Sequence, residues 1–160
     1  MLPAQRVAQN IFIIHLDYDI ITKNEKEARQ RKVMKVLTIK QPWATLIMQG
    51  DKRFEFRRWQ TKYRGELLIH AGKGIDKEAL NRLREYLPDE LPLGKILGKV
   101  ELIDCIKCDE SFKNMCLKEN KDVYAKSTFV EKFAWQFTNV EVFNVPIKAK
   151  GHLSLWEYEL

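Results

Sequence analysis

Polar and apolar positions alternate through residues 35–40, KVLTIK, with β-branched side chains among them, and this period of two predicts a first strand. Pro42 suits a first helical turn, where a missing N–H costs nothing, and Gly50 suits a left-handed stop after Ala44 to Gln49. The predicted helix is therefore short. Alternation resumes in residues 52–58, KRFEFRR, which sets Phe54 and Phe56 on one side and Arg53, Glu55 and Arg57 on the other. Beyond a Tyr63-Arg64-Gly65 corner, ELLIHA (66–71) reads as a third strand, and GKG (72–74) as a loop open either to connection or to ligand approach. Asp76 is a fitting N-cap for a helix from Lys77 to Tyr86, ended by Pro88.

The proline-broken stretch 88–95 leads into ILGKVELIDCIK (96–107), a strong strand, and Glu110 to Asn120 reads as helical. Residues 121–131 carry no legible pattern. Two late strands are predicted, FAWQFTNVEVF (133–143) and GHLSLWEYEL (151–160), with a break at 144–150. Strands separated by short helices, without the long crossovers of a parallel sheet, predict an α+β fold that is mainly β, a small barrel with short flanking helices. There is no internal repeat and no low-complexity segment.

A chain of 160 residues with 45% hydrophobic content suits one domain with its own core. The expected division is a leader over 1–33 and a domain over 34–160. In the leader, the apolar run Ile11 to Ile14 is cut off by His15 and Asp17, too short for a secretory signal or a membrane span. Residues 23–32 are dense in charge, and the codons for these lysines, glutamates and arginines would be purine-rich like a bacterial ribosome-binding site. The expectation is a biological start at Met34, with the leader disordered or untranslated. The alternative is an arm that packs Ile11, Phe12 and Ile14 on the body.

Charge adds a location. The formal net charge is +6, and Lys52, Arg53, Arg57, Arg58, Lys62 and Arg64 stand against only Asp51 and Glu55 in one short segment. The rest of the body is balanced, so the basicity is placed where a polyanion would meet it. The same charges would also keep a small domain soluble. Cys105, Cys108 and Cys116 are odd in number and follow no secretory signal, which argues against a disulfide framework and fits a reducing cytoplasm. Cys105 and Cys108 form half of a zinc knuckle, without a second pair, so packing of buried thiols is the expected role and no metal site is assigned.

The residues Gly50, Lys52, Glu55 and Arg57 spell G-x-K-x-x-E-x-R. With LTIKQPWATLIMQG before it, YRGELLIHA after it, ILGKVELIDC, Phe133-Ala134-Trp135 and the Gly151 to Trp156 segment, the chain from about Met34 onward resembles the ASCH domain family, in the branch close to an activating signal cointegrator. The resemblance implies a PUA-like β-barrel with a cleft beside the motif for RNA or nucleotide ligands. In some branches it implies enzymes: amidohydrolases of N4-acylated cytidine, and a ribonuclease. No cofactor, membrane association or obligate protein partner is implied.

The ligand-binding candidates are Lys40, Gln41, Trp43, Lys52, Glu55, Arg57, Trp59, Tyr63, Arg64, His70 and Lys73. Lysine and arginine meet phosphates, Arg57 in bidentate fashion, while Glu55 orients a guanidinium or accepts from a base or sugar. Trp43 and Trp59 suit base stacking if exposed and core packing if buried. As an enzyme, the chain would use Lys52 and Glu55 as catalytic residues. The amidohydrolase branch places a threonine where Glu55 stands, so Glu55 would act as a base on water instead. The ribonuclease branch pairs the motif lysine with a tyrosine and a serine, for which Tyr63, Ser127 and Ser154 are open, and His70 is the nearby imidazole.

Overall fold

The computed structural model describes residues 32–160; the expectations for a leader over 1–33 fall almost wholly outside them. Met34–Tyr158 form one compact unit. Its elements are β1 (Val33–Gln41), α1 (Trp43–Gln49), β2 (Phe54–Arg57), β3 (Gly65–Ile75), α2 (Lys77–Arg82), a 3-10 turn (Arg84–Tyr86), β4 (Lys95–Lys107), α3 (Glu110–Glu119), α4 (Lys121–Tyr124), β5 (Phe133–Lys148) and β6 (Leu155–Glu159).

The six strands form one mixed sheet in the order β2-β5-β4-β3-β1-β6. β1 and β3 run parallel, so the chain between them must cross over, and that crossover is α1, β2 and the arginine-glycine corner. β3–β4, β4–β5 and β2–β5 are antiparallel. The fold is α+β and mainly β, as the pattern of strands and short helices predicts.

The closed barrel is not formed: β2 and β6 are the two edges of an open sheet. Closure needs every strand to pair on both sides. β2 has four residues and pairs them with β5, from Phe54 against Gln136 to Arg57 against Phe133. On its way into the strand, the backbone N–H groups of Arg53 and Phe54 donate to the Tyr124 hydroxyl, at 3.0 and 3.2 Å. A side chain then links β2 to β1, where Arg57 Nη2 donates to the Thr38 carbonyl at 2.8 Å. The two regions meet through a guanidinium instead of a ladder.

Both faces of the central strands are covered, which is why Leu67, Leu68 and Ile69 follow one another in β3 and are all buried. Leu37, Ile39, Leu67, Ile69, Leu102, Trp135 and Phe137 pack with Ala44, Ile47 and Met48 of α1. Met34, Val36, Leu68 and Ile96 are covered by Phe143, Ile147, Trp156 and Tyr158. A third cluster joins Leu46, Phe54, Phe112, Cys116 and Tyr124, fastening β2 to α3 and α4.

The break expected at 144–150 is absent, since β5 continues to Lys148. Its register jumps instead: Val142 faces Gly98, and the next pair is Ile147 with Ile96. Three to four residues around Pro146 are thus looped out of the ladder, where a residue without an N–H does no harm. A Cβ on Gly98 would lie 2.1 Å from the Glu141 carbonyl oxygen, so only glycine lets β5 come this close.

Candidate nucleic-acid interface

The site begins where α1 stops. Gly50 adopts φ 87°, and its N–H returns to the Ile47 carbonyl at 3.1 Å, a left-handed cap that suits glycine. The Lys52 N–H then donates to the Leu46 carbonyl at 3.1 Å. This tight reversal ends before β2 begins, so Lys52 escapes the strand alternation that would have set it beside Phe54. Its side chain is 3% exposed, and Nζ donates to Glu55 Oε2 at 2.7 Å and to the Phe54 carbonyl. The ammonium lies 5.3 Å from the ring centre of Phe56 and 5.6 Å from that of Trp43, within range of cation–π attraction. An ammonium has three N–H groups; these two bonds leave one for a ligand.

Glu55 is shared. Its Oε1 lies 3.2 Å from Arg57 Nε while its Oε2 takes Lys52. Burial pushes the Lys52 pKa below the usual lysine value, against the pull of Glu55. Burial pushes Glu55 upward, but Lys52 and Arg57 outweigh it and hold the carboxyl below the usual value. The triad therefore carries two cations on one carboxylate, linked onward to Thr38. The Glu55–Arg57 pair runs along one strand and not across two.

Two clefts flank this triad and share Trp43, Glu55 and Phe56 as a wall. The first, about 190 Å³, opens between Lys52, Asp76, Lys126, Ser127 and Lys132. The second, about 430 Å³, opens between Thr38, Lys40, Arg57, Lys73 and His152. Trp43 is fixed by its indole N–H, which donates to Asp76 Oδ2 at 3.2 Å, while Asp76 Oδ1 caps α2 through the Ala79 N–H at 3.0 Å. The predicted N-cap thus also orients the aromatic wall.

Of the candidates read from the sequence, Lys40, Trp43, Lys52, Glu55, Arg57 and Lys73 line these clefts. Others are placed elsewhere. Gln41 is fully buried, donating to the Pro92 carbonyl at 2.8 Å and accepting from the Thr45 N–H at 3.1 Å, so it fastens α1. Trp59 packs edge-on against Trp135 with ring centres 4.5 Å apart. Tyr63 donates to the Glu66 carbonyl, and Arg64 reaches Asp104 at 3.0 Å and the Thr61 and Tyr63 carbonyls, so both shape the corner. His70 is 1% exposed, with Nε2 3.1 Å from the Ala149 carbonyl and its ring edge-on to Trp156; burial lowers its pKa.

Lys126, Ser127 and Lys132 are cleft residues that sequence reasoning missed, apart from naming Ser127 as one of two open serines. Lys126 and Ser127 come from the segment 121–131 without legible periodicity and Lys132 directly follows it, and no local signal marks them. Ser154 lines the second cleft. Cys105 and Cys116 are buried in apolar clusters. No helix among the described residues is long and apolar enough to cross a membrane.

The family model for the ASCH domain matches residues 37–147. Activating signal cointegrator 1 from Mus musculus and from Homo sapiens are each 29% identical to the chain over 134 residues, covering 77% of this chain and 22% of theirs. The chain therefore spans well under half the length of the curated relatives it matches. A crystal structure of ASCH from Zymomonas mobilis aligns over 72% of this chain and 73% of that one, with a TM-score of 0.47 and 17% identity. Because the family model covers most of the described residues and its match includes Gly50, Lys52, Glu55 and Arg57, the chain belongs to the ASCH domain family.

Proposed function

We propose that this ASCH domain binds RNA or a nucleotide-type ligand in the clefts beside Lys52, Glu55 and Arg57. The observation that carries the reading is the charge of the triad: two cations share one largely buried carboxylate, leaving a positive charge and a free ammonium N–H beside Trp43. A buried ion pair is weak support for stability, because desolvation offsets most of its attraction. A third, negative group would complete the set, and a phosphate beside an aromatic wall supplies it together with a base to stack.

Fluorescence polarisation with a labelled single-stranded oligoribonucleotide, at salt from about 50 to about 200 mM, tests this. Lys52→Ala, Arg57→Ala and the half-exposed cleft variant Lys132→Ala are each expected to weaken binding about tenfold and to reduce the salt slope by about one. Trp43→Ala is expected to weaken binding at all salt concentrations without changing the slope. Unchanged affinity in well-folded variants, or a parent whose binding ignores salt, would end the proposal.

A hydrolytic second reading is favoured by one observation: Lys52, its pKa lowered by burial, shares the first cleft with Ser127 and Thr128. A neutral Lys52 or the Glu55 carboxylate would take a proton as water or a hydroxyl attacks, and return it to the leaving nitrogen or oxygen. Purified protein would then turn over N4-acetylcytidine or cut single-stranded RNA, and Lys52→Ala would abolish turnover with the fold intact.

A further inference from the structure

The second cleft does not end at the motif. Thr38, Gly72, Lys73, His152 and Leu153 line it and also line a broader groove of about 1370 Å³. That groove runs where three strands meet: the Gly94 N–H donates to the Ala71 carbonyl at 2.8 Å, and the Ala149 N–H donates to the Gly94 carbonyl at 3.1 Å. Gly94, Ala149 and Gly151 line it together with His70, Leu93 and the four lysines Lys73, Lys95, Lys148 and Lys150. No carboxylate among the described residues lines it.

Lys73, Lys95, Lys148 and Lys150 are exposed and make no ion pair among the described residues, as is also true of Lys40, Lys62 and Lys77. What sets this group apart is its gathering in one groove without a carboxylate and the direct opposition of Lys95 and Lys148 across β4 and β5. Like charges in that position destabilise a sheet, so the fold retains an unfavourable pair where one acidic residue would have relieved it.

We infer that this groove carries the continuation of a single-stranded polynucleotide whose leading nucleotide occupies the motif cleft, with successive phosphates on Lys73, Lys95, Lys148 and Lys150. The inference rests on the reading of the motif cleft as a nucleotide site. Continuity of the two hollows through Lys73 and His152 favours a chain over separate small anions. The groove's volume of about 1370 Å³ has room for more than one nucleotide, and its unneutralised charge complements a sugar-phosphate backbone.

The experiment compares oligouridylates of about two and about eight nucleotides, a range set by the site sizes of single-strand-binding grooves, with the full chain and its Lys148→Glu and Lys52→Ala variants. The octamer is expected to bind at least tenfold more tightly than the dimer. Its salt dependence should be steeper by up to about three logarithmic units per tenfold change in salt, at about 0.7 for each phosphate contacted. Lys148→Glu pairs with Lys95, so it should raise the Tm of the free protein while removing the length-dependent gain and sparing the dimer. A merely structural lysine would not move stability and binding in opposite directions.

Equal affinity for dimer and octamer, or a length gain that survives Lys148→Glu, overturns the inference and leaves the cleft reading standing. Dimer binding indifferent to Lys52→Ala overturns the cleft reading itself. Equal competition by polyglutamate or by anionic vesicles of matched charge assigns the groove to acidic surfaces in general and overturns the polynucleotide.

Discussion

The molecule holds its cations in two ways, and the contrast separates their roles. In the motif, Lys52 is 3% exposed and shares Glu55 with Arg57, within a chain of contacts that ends on the Thr38 backbone. In the groove, Lys95 and Lys148 are exposed, opposed and without a carboxylate. A charge taken out of water must be paired and hydrogen-bonded, so the motif fixes its groups in position at the expense of net charge. A charge left in water needs no partner, so the groove keeps its field and gives up geometry. One region can orient a ligand, and the other can only attract and guide it.

The largest effect that would test this contrast is on stability. Lys52→Met strands Glu55 in a poorly solvated position with only Arg57, and losing one member of a buried pair costs about 3 to 5 kcal/mol. Lys52→Met with Glu55→Gln should recover part of that, a non-additivity readable from urea unfolding midpoints. Lys95→Ala or Lys148→Ala should stay within about 0.5 kcal/mol of the parent or stabilise it. Equal losses in both regions would break the contrast.

These two regions were unequally legible in the sequence. The motif lies in continuous chain, and the devices that build it are local: Gly50 as a left-handed stop, alternation placing Phe54 against Phe112 and Tyr124, and Asp76 as an N-cap. Even so, the tight reversal closed by the Lys52 N–H on the Leu46 carbonyl, which ends before β2 and brings Lys52 onto Glu55, is not contained in alternation. The groove is made by register, because Lys95 and Lys148 meet only through β4–β5 pairing beyond a bulge within the stretch 144–150 that reads in the sequence as a break. The Lys126 to Lys132 wall escaped for a different reason. Asn120 ends the predicted α3 and its side chain caps α4 through the Val123 N–H, so a polar corner hides the second, four-residue helix. Barrel closure was misjudged because whether edge strands pair is a tertiary outcome that strand count does not determine.

Acid should separate the regions next. Lys52 and Arg57 hold Glu55 below its ordinary value of 4.5, despite burial. A depressed carboxyl contributes stability that is fully present above the unfolded-state value and is lost as pH falls through the folded-state value. Unfolding midpoints followed from neutral pH to about pH 3 should therefore fall more steeply for the parent than for Glu55→Gln, and the two curves should converge in acid. Lys148→Glu should keep the parent's Glu55-dependent loss. If Glu55→Gln reproduces the parental acid limb, the carboxylate is not held by its two cations.

The smallest effect reports how deeply the motif is wired into the core. Cys116 is fully buried beside Phe54 and Phe112, and burial pushes its thiol up to about 12. The thiolate is the reactive form, so the native thiol should resist alkylation at neutral pH, and labelling should proceed through local opening. Phe54 belongs to the same cluster and its carbonyl holds Lys52. Loosening the motif should therefore open this cluster: Lys52→Met should accelerate Cys116 labelling, measured by peptide mass spectrometry against urea-unfolded protein, whereas Lys148→Glu should leave the rate unchanged or slow it. Acceleration by both variants, or by neither, would mean that the buried triad is no more coupled to the core than the exposed lysines are.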